Sequence, residues 1–221
     1  MSHEGILLVN KPAGITSHDV VARLRRITGV KKIGHAGTLD PFATGLMILL
    51  VGKNYTRKSA HFTGQDKAYH ARLYLGIATD SYDIDGKKTA ESDYIPSEEE
   101  VFASIEEQNG ERLQTPPMFS AKKIKGKKLY QLARQGVEVA RPPVQVHLET
   151  TLLSYTYPHV EIAVSCSKGT YIRSIAHEMG EKLTCHAHLD QLVRTRCGDF
   201  LLENSHTLEE LESCWQEVLR T

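Results

Sequence analysis

The chain has 221 residues, with 40% hydrophobic and 24% charged residues, ordinary globular usage that excludes a disordered, collagen-like or coiled-coil protein. Lys plus Arg balance Asp plus Glu at 27 each, so the chain as a whole is no polycation. The longest apolar run, Leu46 to Val51, is far shorter than the roughly 20 residues of a spanning helix, and the N-terminus lacks a signal arrangement. These features predict a cytoplasmic protein without a membrane partner. The cysteines Cys166, Cys185, Cys197 and Cys214 form no Cys-x-x-Cys pair and are read as reduced thiols.

In chain order, Ile6 to Val9 reads as a short strand ending in the turn Lys11-Pro12-Ala13-Gly14. Thr16-Ser17 then caps a helix with Val20, Val21, Leu24 and Ile27 at helical spacing. Leu46 to Val51 reads as a buried strand. The alternation of Tyr69, Ala71, Leu73, Leu75 and Ile77 gives a second strand with one apolar face. Ser97 to Gln108 reads as a helix with Ser97 and Glu100 in capping-box spacing. A Lys-rich loop between Pro116-Pro117 and Pro142-Pro143 holds a helical stretch from Lys128 to Gln135. Val144 to Leu153 and Val160 to Cys166 form two strands joined around Tyr157-Pro158. A helix follows from about Thr170 to Leu183 with Ile172, Ile175, Ala176, Met179 and Leu183 inward, and a helical stretch covers Leu208 to Leu219. The pattern predicts an α+β fold with a mixed, mainly antiparallel sheet flanked by helices and loops, organised as one domain over 1–221 with a basic insertion at about 112–143.

Charge is not spread evenly. Lys11 to Lys58 carries nine Lys/Arg against Asp19 and Asp40, and Glu111 to Arg141 eight against Glu111 and Glu138. Asp80 to Gly110 carries ten acids against Lys87 and Lys88. Two basic blocks around an acidic one suit a polyanion-binding face with a solvated back.

The densest segment is Gly34-His35-Ala36-Gly37-Thr38-Leu39-Asp40-Pro41-Phe42-Ala43-Thr44-Gly45. Asp before Pro suits a helix N-cap, with Asp40 accepting backbone N–H bonds. The same residue on a rigid glycine-rich loop suits a nucleophile or base, so two readings stay open. Arg173 falls where a strand gives way to a helix, and a cation at that positive helix end calls for an anionic partner, for which Asp40 is the natural candidate. Tyr69 at a strand end is either a core residue or a stacking platform for a base. Cys185-His186-Ala187-His188 with His177 lacks the paired spacing of a structural zinc site, and no metal is expected. No Walker loop, Gly-x-Gly-x-x-Gly or Gly-x-Ser-x-Gly occurs.

Lys11-Pro12-Ala13-Gly14-Ile15-Thr16-Ser17, the Gly34 to Pro41 string with Ala43 and Gly45, Lys67 to Tyr69, Lys168-Gly169-Thr170-Tyr171-Ile172-Arg173 and the Leu192 to Arg196 region occur in this order. Together they resemble the TruB family of tRNA pseudouridine synthases over about residues 5 to 215. The resemblance implies the pseudouridine synthase fold and conversion of uridine 55 in the tRNA T-loop to pseudouridine, without metal or organic cofactor, by a monomer. It implies Asp40 as catalytic aspartate, Tyr69 as the residue stacking on the flipped uracil and Arg173 as the arginine paired to the aspartate. His35 would line the space left by the flipped base and Leu192 would lie under the uracil. Lys11, Tyr171, Arg194, Lys122, Lys123 and Lys125 would complete substrate binding, the last three on a loop from Met118 to Gln135 that closes on the T-stem-loop. The family usually continues into a C-terminal PUA domain, whereas this sequence stops at Thr221, so a short form without it is expected. Val193 stands where many members carry arginine. Two other classes share this fold: a non-catalytic tRNA-binding chaperone, which the presence of Asp40 disfavours, and the catalytic subunit of a guide-RNA particle, whose members carry the PUA domain.

Overall fold

The computed structural model describes residues 3–120, 122–124, 126–133 and 135–221. In chain order, β1 (Gly5–Lys11), α1 (Ser17–Thr28), β2 (Ile33–Ala36), β3 (Thr44–Val51), α2 (Lys53–Thr56) and α3 (Ser59–Thr63) lead into β4 (Lys67–Leu75). Then come β5 (Ile77–Thr79), β6 (Lys88–Glu91), α4 (Glu98–Glu106), β7 (Gly110–Gln114), β8 (Lys123–Ile124), β9 (Lys127–Lys128) and α5 (Leu129–Ala133). The remaining elements are β10 (Val144–Thr156), β11 (His159–Cys166), α6 (Ile172–Lys182), β12 (Ala187–Cys197), β13 (Phe200–Leu201) and α7 (Leu208–Cys214). The chain divides into two compact units, one formed by the residues up to His70 with Leu192–Thr221 and the other by Ala71–Gln191. Strands β4 and β12 contribute residues to both.

In the first unit, β3 is fully apolar from Leu46 to Val51 and buried over that stretch, which is why it lies centrally, with β1 and β2 both antiparallel to it. Beyond β3, Val193 and Arg194 of β12 pair with it in parallel. Helix α1 starts with a full capping box, Thr16 and Asp19 each satisfying the other's backbone N–H, and buries Val20, Val21 and Leu24. In the second unit, β10 pairs antiparallel with β11 and β7, and Val146, Leu148, Val160, Ile162 and Val164 alternate inward. Helix α4 opens with the Ser97–Glu100 capping box. Helix α6 buries Ile172, Ile175, Ala176 and Met179, the apolar stripe its sequence spacing predicts. The result is the expected α+β arrangement with a mixed, mainly antiparallel sheet.

Three local expectations are corrected. The strand from Lys67 stops at Leu75 rather than running to Ile77, because Gly76 takes φ 97° and its N–H turns to donate to the His186 carbonyl at 3.1 Å. Helix α7 stops at Cys214 rather than Leu219. After Cys214 the chain turns, with the Glu217 and Val218 N–H groups donating to the Cys214 carbonyl at 3.0 and 3.2 Å, before Arg220 exchanges backbone hydrogen bonds with Ile6 at 2.7 and 3.0 Å. The Lys-rich loop contains a two-stranded ladder, Lys123 with Lys128 and Ile124 with Lys127, before α5, where sequence spacing showed only the helical turn.

Two long cations meet at one glycine of the first unit. Lys11 of β1 and Arg194 of β12 are both in register with Gly45 of β3, one on each side. Gly45 has φ 101°, and a Cβ there would strike the backbone of Arg194. The missing side chain leaves room for the close approach of the Arg194 backbone. Gly45→Ala therefore combines a disallowed dihedral with a main-chain clash, and a loss of about 2 kcal/mol or more is expected, a fall of roughly 4–8 °C in melting temperature. Thermal melting of the variant beside the parent checks this.

Candidate functional site

Asp40 stands in the connection from β2 to β3, and no helix follows it: residues 37–43 form turns that lead directly into β3. The cap reading of Asp40-Pro41 is thereby excluded. The connection is instead held by its main chain. Lys11, wholly buried, donates from Nζ to the carbonyls of Pro12 (2.8 Å), Pro41 (3.1 Å) and Ala43 (2.7 Å). Arg194, also buried, donates from Nε to the Leu46 carbonyl at 2.7 Å and from Nη2 to that of Gly37 at 3.2 Å. Ser17 at the start of α1 exchanges two 2.9 Å bonds with the backbone of Leu39, and Gly14 donates to Pro41 at 2.9 Å. The turn closes with Ala43 N–H on the Asp40 carbonyl at 3.2 Å. These ties come from outside the turn or from its own backbone, and they fix the main chain on both sides of Asp40.

Burial pushes the Lys11 ammonium down to about 8. Asp40 pulls it back upward, and Arg194 adds to the lowering. His35 on β2 is partly buried, and its Nδ1 makes no hydrogen bond among the described residues. Burial, and then the charge of Arg194, lowers its pKa. Tyr69 is buried on β4, two residues after Lys67, which donates to the carbonyls of Thr63 at 3.0 Å and of Gln65. Leu192 is buried two residues before Arg194 on β12, on the same face of that strand.

In the second unit Arg173 occupies the first turn of α6, where the helix dipole disfavours a cation. It is no surface arginine: only 4% of it is exposed. Its Nη1 lies 3.2 Å from Asp83 Oδ2 and donates to the Ser81 carbonyl at 3.0 Å, while Nη2 donates to the Phe119 carbonyl at 2.8 Å. Asp83 is itself ordered by Ser81 Oγ (2.5 Å) and the Asp85 N–H (3.2 Å), both donating to Oδ1. Tyr171, just before α6, is bracketed by the buried Gln114 side chain, which accepts from its N–H at 2.8 Å and donates to its carbonyl at 3.1 Å. Sequence reasoning missed both Asp83 and Gln114. Asp83 was counted within the acidic block and assigned to solvent, yet it is 5% exposed; its spacing to Ser81 was the available signal. Lys122 is half-buried; Lys125 lies outside the described residues, as do the side chains of Lys123, Lys127 and Lys128. Among the described residues no group of three or more His, Cys, Asp or Glu is placed to hold a metal ion, and no helix is long and apolar enough to cross a membrane.

Similarity to known proteins gives the class. Residues 25–172 match the TruB family pseudouridylate synthase N-terminal domain, and residues 173–221 match the tRNA pseudouridylate synthase B C-terminal domain. The chain belongs to the TruB family of pseudouridylate synthases. It is 56% identical over 215 residues to the tRNA pseudouridine synthase B of Protochlamydia amoebophila (strain UWE25), covering 95% of this chain and 82% of that protein. Identity to the protein of the same name from Opitutus terrae is 47% over 212 residues, covering 95% and 88%. Among solved structures, the crystal structure of a Cbf5-Nop10-Gar1 complex holds a chain with TM-score 0.76 and 28% identity, covering 96% of this chain. The present chain spans 55% of that one.

Lys11 yields a test with a definite sign. Between about pH 8 and its unfolded value of 10.5, the unfolded chain binds this proton more than the folded chain does. Lys11 therefore costs stability below pH 8, and that cost is relieved as pH rises through this window. Lys11→Met should lower stability at pH 7 by about 1–3 kcal/mol, since buried carbonyls lose their donor, and should also abolish the rise. Denaturant titrations of both proteins at about pH 7.5 and about pH 9.5 check it.

Proposed function

We propose that this chain isomerises uridine 55 in the T-loop of tRNA to pseudouridine, with Asp40 as the attacking carboxylate. The observation that carries this reading is the turn around Asp40. Lys11, Arg194, Ser17 and Gly14 hold its backbone, and the chain runs from Asp40 into β3 without forming a helix. The chain's 56% identity to a protein named tRNA pseudouridine synthase B supports the substrate class. The chain acts on tRNA as an intramolecular transferase; recognition of the T-stem-loop, a monomeric state and action in the cytoplasm belong to the same proposal.

The chemistry follows from the substrate. A uridine stacked inside a folded loop must be turned out at a cost of a few kcal/mol, and stacking on Tyr69 returns about 1–3 kcal/mol of it. The bond from C1′ to N1 breaks, the detached base turns, and C5 bonds to C1′. The proton lost from C5 balances the one gained at N1, so the product is an isomer of the substrate. Asp40 attacks as the carboxylate, and Arg173 is assigned the role of its counter-charge. Leu192 supplies the apolar surface under the ring, His35 the space left by the flipped base, and the Lys122 to Lys128 cluster the contact to phosphates. In place of a direct substrate contact, Lys11 and Arg194 are assigned to holding the Asp40 turn.

Asp40→Asn tests the nucleophile. The variant should melt within a few degrees of the parent and bind tRNA normally, while single-turnover pseudouridine formation falls by about a thousandfold or more. A folded Asp40→Asn protein that still forms pseudouridine at an appreciable rate overturns the assignment.

The basic loop yields a separate expectation. Neutralising Lys122, Lys123, Lys125, Lys127 and Lys128 should weaken binding and flatten the slope of log affinity against log salt by up to about one unit per lost phosphate contact. Filter binding of tRNA transcript between low and moderate salt measures the slope, and an unchanged one assigns the cluster to solvent.

A further inference from the structure

Tyr82 is a strained point in the second unit. Its φ is 66°, a left-handed conformation that costs a bulky aromatic residue about 1–3 kcal/mol and persists only where the surroundings impose it. It lies between two of the residues that hold the Arg173 guanidinium, Ser81 through its carbonyl and Asp83 through Oδ2. Its backbone is fixed as well: the N–H donates to the Thr79 carbonyl at 3.2 Å and the carbonyl accepts from Leu189 at 2.9 Å. The phenol ring lies flat on the imidazole of His177, with centroids 3.9 Å apart and planes within 6°. His177 follows Arg173 by four residues on α6, one turn further along the same face.

No hydrogen bond among the described residues orients the buried Nδ1 of His177, so the stack is what fixes this edge of the imidazole. Burial pushes the His177 pKa down, Glu181 opposing and His186 adding to it, which favours an uncharged ring against the phenol. A glycine or asparagine at position 82 would take the same φ with less strain. What tyrosine alone adds is the ring.

We propose that the Tyr82–His177 stack positions Arg173: it clamps the Ser81–Asp83 segment onto α6 one turn from the guanidinium, so that Asp83 and the Ser81 carbonyl hold that group in a single orientation. Both are positioning residues that act through Asp83 and Ser81. The inference deepens the functional reading above and rests on it for the use made of Arg173.

The test separates the ring from the fold. Tyr82→Gly removes the ring while relieving the strained dihedral; Tyr82→Phe keeps the ring. The phenylalanine variant should stay within about twofold of the parent in single-turnover pseudouridine formation. The glycine variant should melt within a few degrees of the parent and bind tRNA with unchanged affinity, yet react about tenfold or more slowly. In a sample with ¹⁵N-labelled arginine, the Nε–Hε resonance of Arg173 should shift or broaden in the glycine variant and hold in the phenylalanine one. Added to Asp83→Asn, Tyr82→Gly should cost less than about a further twofold, because both loosen the hold on one guanidinium.

A glycine variant with the parent's rate and Arg173 resonance overturns the proposal, and so does a full additional loss on the Asp83→Asn background. If Tyr82→Gly fails to fold, His177→Ala removes the other half of the stack with the backbone untouched, and must reproduce the slow rate and altered resonance or the proposal fails. Should the parent itself form no pseudouridine, the functional reading falls, and the Arg173 resonance alone decides the positioning role.

Discussion

A buried carbonyl needs a donor, and the turn that presents Asp40 meets that demand with cations. Lys11 and Arg194 are both removed from water and both spend hydrogen-bonding capacity on main-chain oxygens of residues 37–46 and of Pro12. An ammonium group satisfies several acceptors from one atom, and a guanidinium spans acceptors on two segments. Neutral side chains of equal reach would leave some of these oxygens without a donor. The cost is visible in Lys11, whose proton is held less firmly than that of a lysine in water. A rigid turn and a weakened lysine charge are two sides of one arrangement.

The second unit repeats the chemistry with another cation. Arg173 meets the carbonyls of Ser81 and Phe119 as well as the carboxylate of Asp83. The carbonyls neutralise nothing, but they fix the plane of the guanidinium, and the carboxylate supplies the opposite charge that the start of a helix denies. A buried lysine at this place would lose the fork that reaches two separated loops.

Much of the regular structure was legible in the sequence because its causes are local. Thr16-Ser17 and the pair Ser97 with Glu100 announce helix starts, and the apolar alternation from Tyr69 to Leu75 states which face of β4 is buried. Arg173 stood out because a cation at a helix start is locally odd. Its partner Asp83 did not, because in one dimension a buried carboxylate looks like any member of an acidic run. For Lys11 and Arg194, which the resemblance implies as substrate-binding residues, one dimension shows nothing of the carbonyls they hold, since only the register of β1, β3 and β12 places them on either side of Gly45. The Asp-Pro pair misled for a related reason: the dipeptide favours a cap, but the strand beginning at Thr44 leaves no length for a helix. Tyr82 has no sequence signature, since its dihedral is imposed by contacts from other segments.

The first unit is assembled from two stretches of chain separated by the whole of the second. Gly37 receives its bond from Arg194, 157 residues later, and Leu46 receives its own across 148. On the ribosome, then, the Asp40 turn is synthesised early and stays without one of its two cationic anchors until Ala71–Gln191 has been made. Loop closure over such separations is slow compared with local helix formation. Translation therefore sets an order of events in which the segment bearing Asp40 is among the first made and its surroundings are among the last to be completed.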